Sequence, residues 1–165
     1  MTLGMSISAF TAVHVIISLL GIISGVVVVI GMLRSRCLEG WTGVFLASTV
    51  LTSVTGFMFP FAGVLPSHVV GGISLVALAA AILALYVYRL DAAWRWIYVV
   101  GAVLALYLNV FVGVVQAFQK VSFLQPLAPT QSEAPFLVAQ IAVLALCGWL
   151  GYLAFKQFRP RLPAA

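Results

Sequence analysis

Apolar residues in this chain come in long, nearly unbroken runs, without the strict alternation of a half-buried strand or the one-sided spacing of a surface helix. Five runs, at about 7–32, 41–64, 67–88, 96–118 and 136–155, are each long enough to cross a hydrocarbon core of about 30 Å at roughly 1.5 Å per residue. Polar interruptions between them are brief, LRSRCLEG after the first run and RLDAA after the third. The pattern predicts an all-α, polytopic membrane protein: a single domain over 1–165, built as a bundle of five transmembrane helices.

The second and third runs are parted only by a tip carrying Pro60, Pro66 and His68. Pro66 suits the first turn of a helix, where its missing N–H would have had no partner. Pro60 inside the second run predicts a kink and an unbonded carbonyl at Gly56, which in lipid needs a donor from protein or trapped water. The connection at 120–135, KVSFLQPLAPTQSEAP, is the longest, and its three prolines argue against a sixth span.

Composition strengthens the membrane reading. Hydrophobic residues make up 64% of the 165 and charged residues 7%, which an ordinary water-soluble domain does not approach. The net charge of +5 comes from eight basic residues placed at the ends of apolar runs, so they read as topology signals and not as a nucleic-acid surface. Arg34, Arg36, Arg89, Arg95, Lys156, Arg159 and Arg161 fall on one side of a five-span fold and Lys120 on the other. The positive-inside rule then places the N-terminus out and the C-terminus in. Trp41, Trp94, Trp96, Tyr86, Tyr88 and Tyr98 gather at the same inner boundary, as an interfacial belt does. No basic residue precedes the first run, which is also too long for a signal-peptide core, so it is expected to remain as a span.

Small residues four apart, Gly21 with Gly25 and Thr52 with Gly56, predict close helix packing within the bundle. Cys37 and Cys147 have neither redox-pair nor zinc-site spacing, and no metal site is expected. No nucleophile elbow, phosphate loop or HExxH helix is present, and the side-chain carboxylates Glu39, Asp91 and Glu133 all fall in predicted loops. The sequence thus points away from catalysis and assigns no catalytic residue.

What chemistry there is lies in the predicted outer half of the spans. His14 sits on the first run and His68 at the start of the third. Asn109, Gly113, Gln116 and Lys120 follow a spacing that puts them on one stripe of the fourth helix. Gln140 enters near the outer end of the fifth. The expected ligand-binding set is therefore His14, His68, Asn109, Gln116, Lys120 and Gln140, walling a polar pocket between the first, third and fourth spans. Two imidazoles on separate helices suit a haem held edge-on, and histidine and amide groups among aromatics such as Phe57, Phe59, Tyr107 and Phe111 suit a quinone head group. For each amide, the plainer reading is a hydrogen bond tying two helices together.

At TGFMFPF, PSH, AAWRWIYVV, ALYLNVFVGVVQAFQK and LAPTQSEAPF the chain resembles a group of small bacterial inner-membrane proteins with no assigned activity. The resemblance runs from Trp41 to about Phe155 and implies a multi-pass protein of the bacterial inner membrane. Three functions stay open: a redox-accessory protein holding a quinone-like or haem-like ligand; a structural or regulatory subunit of a larger membrane complex or homo-oligomer; and a small solute conduit.

Overall fold

The computed structural model describes Gly4, residues 6–59 and residues 66–160, with backbone only at 66 and 67. Five α-helices account for most of it: α1 (Ile7–Leu33), α2 (Glu39–Gly56), α3 (Pro66–Ile82), α4 (Trp94–Lys120) and α5 (Ala134–Gln157). A single wide turn of π-helix, Leu83–Val87, extends α3, and a short 3₁₀ turn, Gln125–Leu127, lies in the long connection. Among the described residues, four helices are long and apolar enough to cross a membrane: α1, α3 with its π turn, α4 and α5. The fold is that of a helical membrane protein. The fifth helix, α2, has 18 residues and is rich in hydroxyls, with Thr42, Ser48, Thr49, Thr52, Ser53 and Thr55.

Where helices start and stop follows from local chemistry. Ser6 caps α1, its hydroxyl accepting from the Ala9 backbone N–H at 3.2 Å. α2 was expected to run to residue 64, but it ends at Gly56, where Phe57 and Met58 close the last turn with N–H bonds to the carbonyls of Val54 and Thr55. A proline at 60 disfavours helical backbone at the residue before it, consistent with a helix that stops short of the apolar FMFPF stretch. The kink expected at Pro60 lies outside the described residues. At the far end of α3 the Tyr88 N–H reaches back to Leu83, and Leu90 N–H to Ala84 at 2.9 Å, so the helix unwinds into a loop with left-handed backbone at Arg89, Leu90 and Ala92.

Helix α4 is the hub, packed on α3, α5 and α1. Its closest approach is to α3 at Gly101, which lies against Ala77 and Ala81. The main apolar core joins Val28, Met32, Phe45, Leu78, Tyr98 and Phe158, all toward the end of the bundle where α1 finishes and α4 begins. A smaller cluster of Phe118, Ala128 and Phe136 sits under the long connection at the opposite end. Between these clusters, α1, α2 and α4 meet through polar and small side chains. The ends of α1 and α5 are tied by a 2.7 Å bond from the Arg159 N–H to the Ser35 hydroxyl. Arg34, Arg36, Arg89, Arg95, Lys156 and Arg159 thereby share one end of the bundle, and Lys120 lies at the other.

Candidate functional site

The polar groups of the Lys120 end are arranged by α1, α2 and α4, with α2 taking the place that the sequence suggested for α3. His14 and Ser18 are one turn apart on α1, and Thr55, Thr52 and Thr49 form a matching ladder on α2. The His14 Nδ1 lies 2.7 Å from the Thr55 hydroxyl oxygen. That hydroxyl has one proton, which is directed to the Leu51 carbonyl at 2.7 Å, so the imidazole is the donor and Nδ1 carries its hydrogen. The neutral ring in this tautomer has Nε2 as an acceptor. Phe59 stands edge-on to the ring at 5.2 Å between centroids, and Phe10 packs on Phe59 at 4.9 Å, so the imidazole has an aromatic flank.

One turn deeper, the Asn109 amide of α4 donates to the Ser18 carbonyl at 3.4 Å. Asn109 is buried, as are Ser48, Thr49 and Ser24. Gly21 makes room for this group: a β-carbon there would stand 2.9 Å from the Asn109 amide nitrogen and 3.0 Å from the Thr49 hydroxyl. The Thr49 and Thr52 hydroxyl oxygens, both buried, have no hydrogen-bond partner among the described residues. A buried hydroxyl without a partner costs roughly 1–3 kcal/mol relative to one that is bonded. The result is a polar seam from His14 down to Asn109 whose acceptors and donors outnumber its internal bonds. Gln116, half-buried, and Lys120, exposed, continue the α4 stripe toward its end.

Two of the expected residues lie elsewhere. His68 stacks on Phe57 at 5.5 Å between centroids, whereas His14 bonds Thr55. The two imidazoles thus contact different side chains at the end of α2. Gln140 is likewise separate: its amide donates to the Phe111 carbonyl at 3.2 Å, on the α4–α5 side, while its Oε1 is unpartnered among the described residues. No group of three or more metal-ligating side chains occurs among the described residues.

Sequence reasoning marked Gly21 and Thr52 as small residues for close packing, but gave Ser18, Ser48 and Thr49 no part in the site. Serine and threonine in membrane helices bond their own backbone so often that nothing marks these three until the packed helices are seen. The fold and the seam define a class, a helical membrane bundle with a polar interhelical line. The chain matches no protein-family model, no curated protein and no solved structure.

Proposed function

We propose that this chain is a multi-pass protein of a bacterial inner membrane, with α2 as its fifth span, the N-terminus outside and the C-terminus inside. On this reading its seam holds the polar head of a lipophilic small molecule of quinone-like chemistry, as a ligand-binding accessory to a membrane redox system. The observation that carries it is the His14–Thr55 bond between α1 and α2 together with the buried, unpartnered hydroxyls of Thr52 and Thr49 on the same helix, Thr49 lying with Asn109 beside Gly21. A para-quinone ring needs a hydrogen-bonding group at each end. His14 and the Asn109–Ser18 pair lie one helical turn apart along α1, so both offer hydrogen-bonding groups to one head group. Phe10 and Phe59 supply the aromatic flank, and the lipid-facing surface of α1 gives the isoprenoid-like tail a path. Positive-inside bias supports the orientation, with six described basic residues at one end and Lys120 at the other.

The test is solvent extraction and mass spectrometry of protein purified in mild detergent, run beside Asn109→Leu and Thr52→Val variants. A co-purifying quinone that the variants lose supports the reading. A ligand-free protein that also fails to take up added quinone sinks it. A second reading, a structural subunit of a larger membrane complex, is favoured by α5, of whose most apolar stretch only 11% is buried in the bundle. Co-purification with other membrane subunits distinguishes it.

A further inference from the structure

At the basic end of the bundle lies an open pocket of about 420 Å³, walled by Arg89, Leu90, Asp91, Ala92, Arg95, Arg159 and Pro160. Three separate pieces of chain bring its charges together: the loop after α3, the first turn of α4 and the segment after α5. Each piece is fixed. The loop is pinned by the buried Leu90, whose N–H bonds Ala84, and it holds left-handed backbone at Arg89, Leu90 and Ala92. Such conformations persist in non-glycine residues only where the surroundings impose them. Arg159 follows Phe158, which is fully buried against Tyr98, and its N–H is held by Ser35. The Arg95 guanidinium lies flat over Trp96 at 3.8 Å, and its Nε is buried without a hydrogen-bond partner among the described residues.

Arg89, Arg95 and Arg159 therefore line one cavity, with Asp91 as the carboxylate of its lining. Two of these charges, Arg95 and Arg159, are brought from separate segments to one cavity, an arrangement that an anion between them stabilises. Planar forked donors match phosphate oxygens in particular. The rim fixes the depth: Tyr88 stacks on Trp94 at 3.6 Å and Trp96 on Phe155 at 4.0 Å, an aromatic girdle of the kind found at head-group level. We propose that this pocket binds a phosphate group, and that its source is the head group of an anionic phospholipid. Basic pockets between spans on the cytoplasmic side are suited to such lipids. This inference rests on the orientation proposed above and is independent of the ligand assigned to the seam.

The experiment measures binding of phosphatidylglycerol to the purified full chain in nanodiscs of otherwise zwitterionic phosphatidylcholine. Wild type is compared with an Arg95→Gln/Arg159→Gln double variant and with Arg34→Gln/Arg36→Gln, which removes two charges at the same end outside the pocket. The pocket variant is expected to weaken binding roughly tenfold or more, the loss of at least one charge-assisted hydrogen bond to phosphate, and the control variant by much less. An Arg95→Lys/Arg159→Lys variant keeps the charge but loses the fork, and is expected to fall between. Equal losses in pocket and control variants, or no preference for phosphatidylglycerol, would overturn the proposal. Inorganic phosphate that competes fully at millimolar concentration would keep the phosphate site but overturn the lipid as its source. Thermal unfolding in detergent shows whether each variant is folded. Should the double variant not fold, Arg159→Gln alone, on an exposed side chain, carries the comparison.

Discussion

Gly101 of α4 stands so near Ala77 of α3 that a β-carbon on it would lie 2.7 Å from the Ala77 carbonyl oxygen and 3.2 Å from the Ala81 β-carbon. The nearest obstacle is backbone, which cannot rotate aside. Gly101→Ala is therefore expected to force the two helices apart at a cost of roughly 1–3 kcal/mol, and Gly101→Val more. Thermal unfolding in detergent checks this; an unchanged transition for Gly101→Ala would show that the α3–α4 contact is looser than described.

The His14–Thr55 bond makes a prediction about a proton. With the Thr55 hydroxyl spent on Leu51, the imidazole is expected as the Nδ1–H tautomer, readable from its ring ¹⁵N shifts. Thr55→Val should move the ring toward the other tautomer or an exchanging mixture, and destabilise the protein by about 0.6–1.7 kcal/mol, the range for hydrogen bonds between membrane helices. Thr55→Ser should preserve the tautomer. Nε2–H in the wild type would contradict the donor assignment.

Gly21→Ala tests the seam itself. The added methyl meets the Asn109 amide and the Thr49 hydroxyl, both movable side-chain ends, so stability should fall only slightly while Asn109 is pushed off the Ser18 carbonyl. Combining it with Asn109→Ala should be less harmful than the sum of the two changes, because the collision is then gone. Strict additivity in this cycle would mean the two residues do not meet.

A pH effect is expected at the long connection. Desolvation pushes the Glu133 carboxyl up, but bonds from the Thr130 hydroxyl at 2.8 Å and from the Thr130 and Ser132 N–H groups at 3.1 Å outweigh it and leave the carboxyl below its ordinary value of 4.5. A group whose folded value is depressed contributes stability above its unfolded value and loses it as pH falls through the folded one. Hydrogen exchange at Thr130 and Ser132 should therefore be slow at neutral pH, relative to intrinsic rates, and lose protection as pH drops below 4.5. Glu133→Gln should abolish that dependence; a wild-type profile that stays flat through acid would refute it.

Helix positions were legible because bilayer-length apolar runs leave few alternatives, and the starts and ends of α1, α4 and α5 fall within about two residues of the runs that predicted them. α2 departs most. Its continuation looked helical by hydropathy, but α2 closes at Gly56 and residues 57–59 lie outside it, ahead of a proline that disfavours helical backbone at the residue before it. The π turn after Ile82 was invisible, since Leu, Ala, Tyr and Val are all compatible with an ordinary helix. In the site, Asn109, Gln116 and Lys120 were readable as a stripe because spacing alone defines a helical face. Which helix faces that stripe is a question of packing, and so the α2 hydroxyls and the separation of His14 from His68 emerged only from the fold. The arginine pocket was hidden differently: its members were read as markers of sidedness, and sequence distance gives no sign that Arg159 returns to Arg95.

The hydroxyl content of α2 has a consequence for biogenesis under the five-span reading. A helix so rich in Ser and Thr gains little by entering lipid alone, yet its polar edge is matched by α1, to which it is joined by a short loop. The nascent chain would then deliver α1 and α2 into the bilayer as one folded hairpin, and a ribosome-bound chain lacking α1 would leave α2 stranded at the translocation channel.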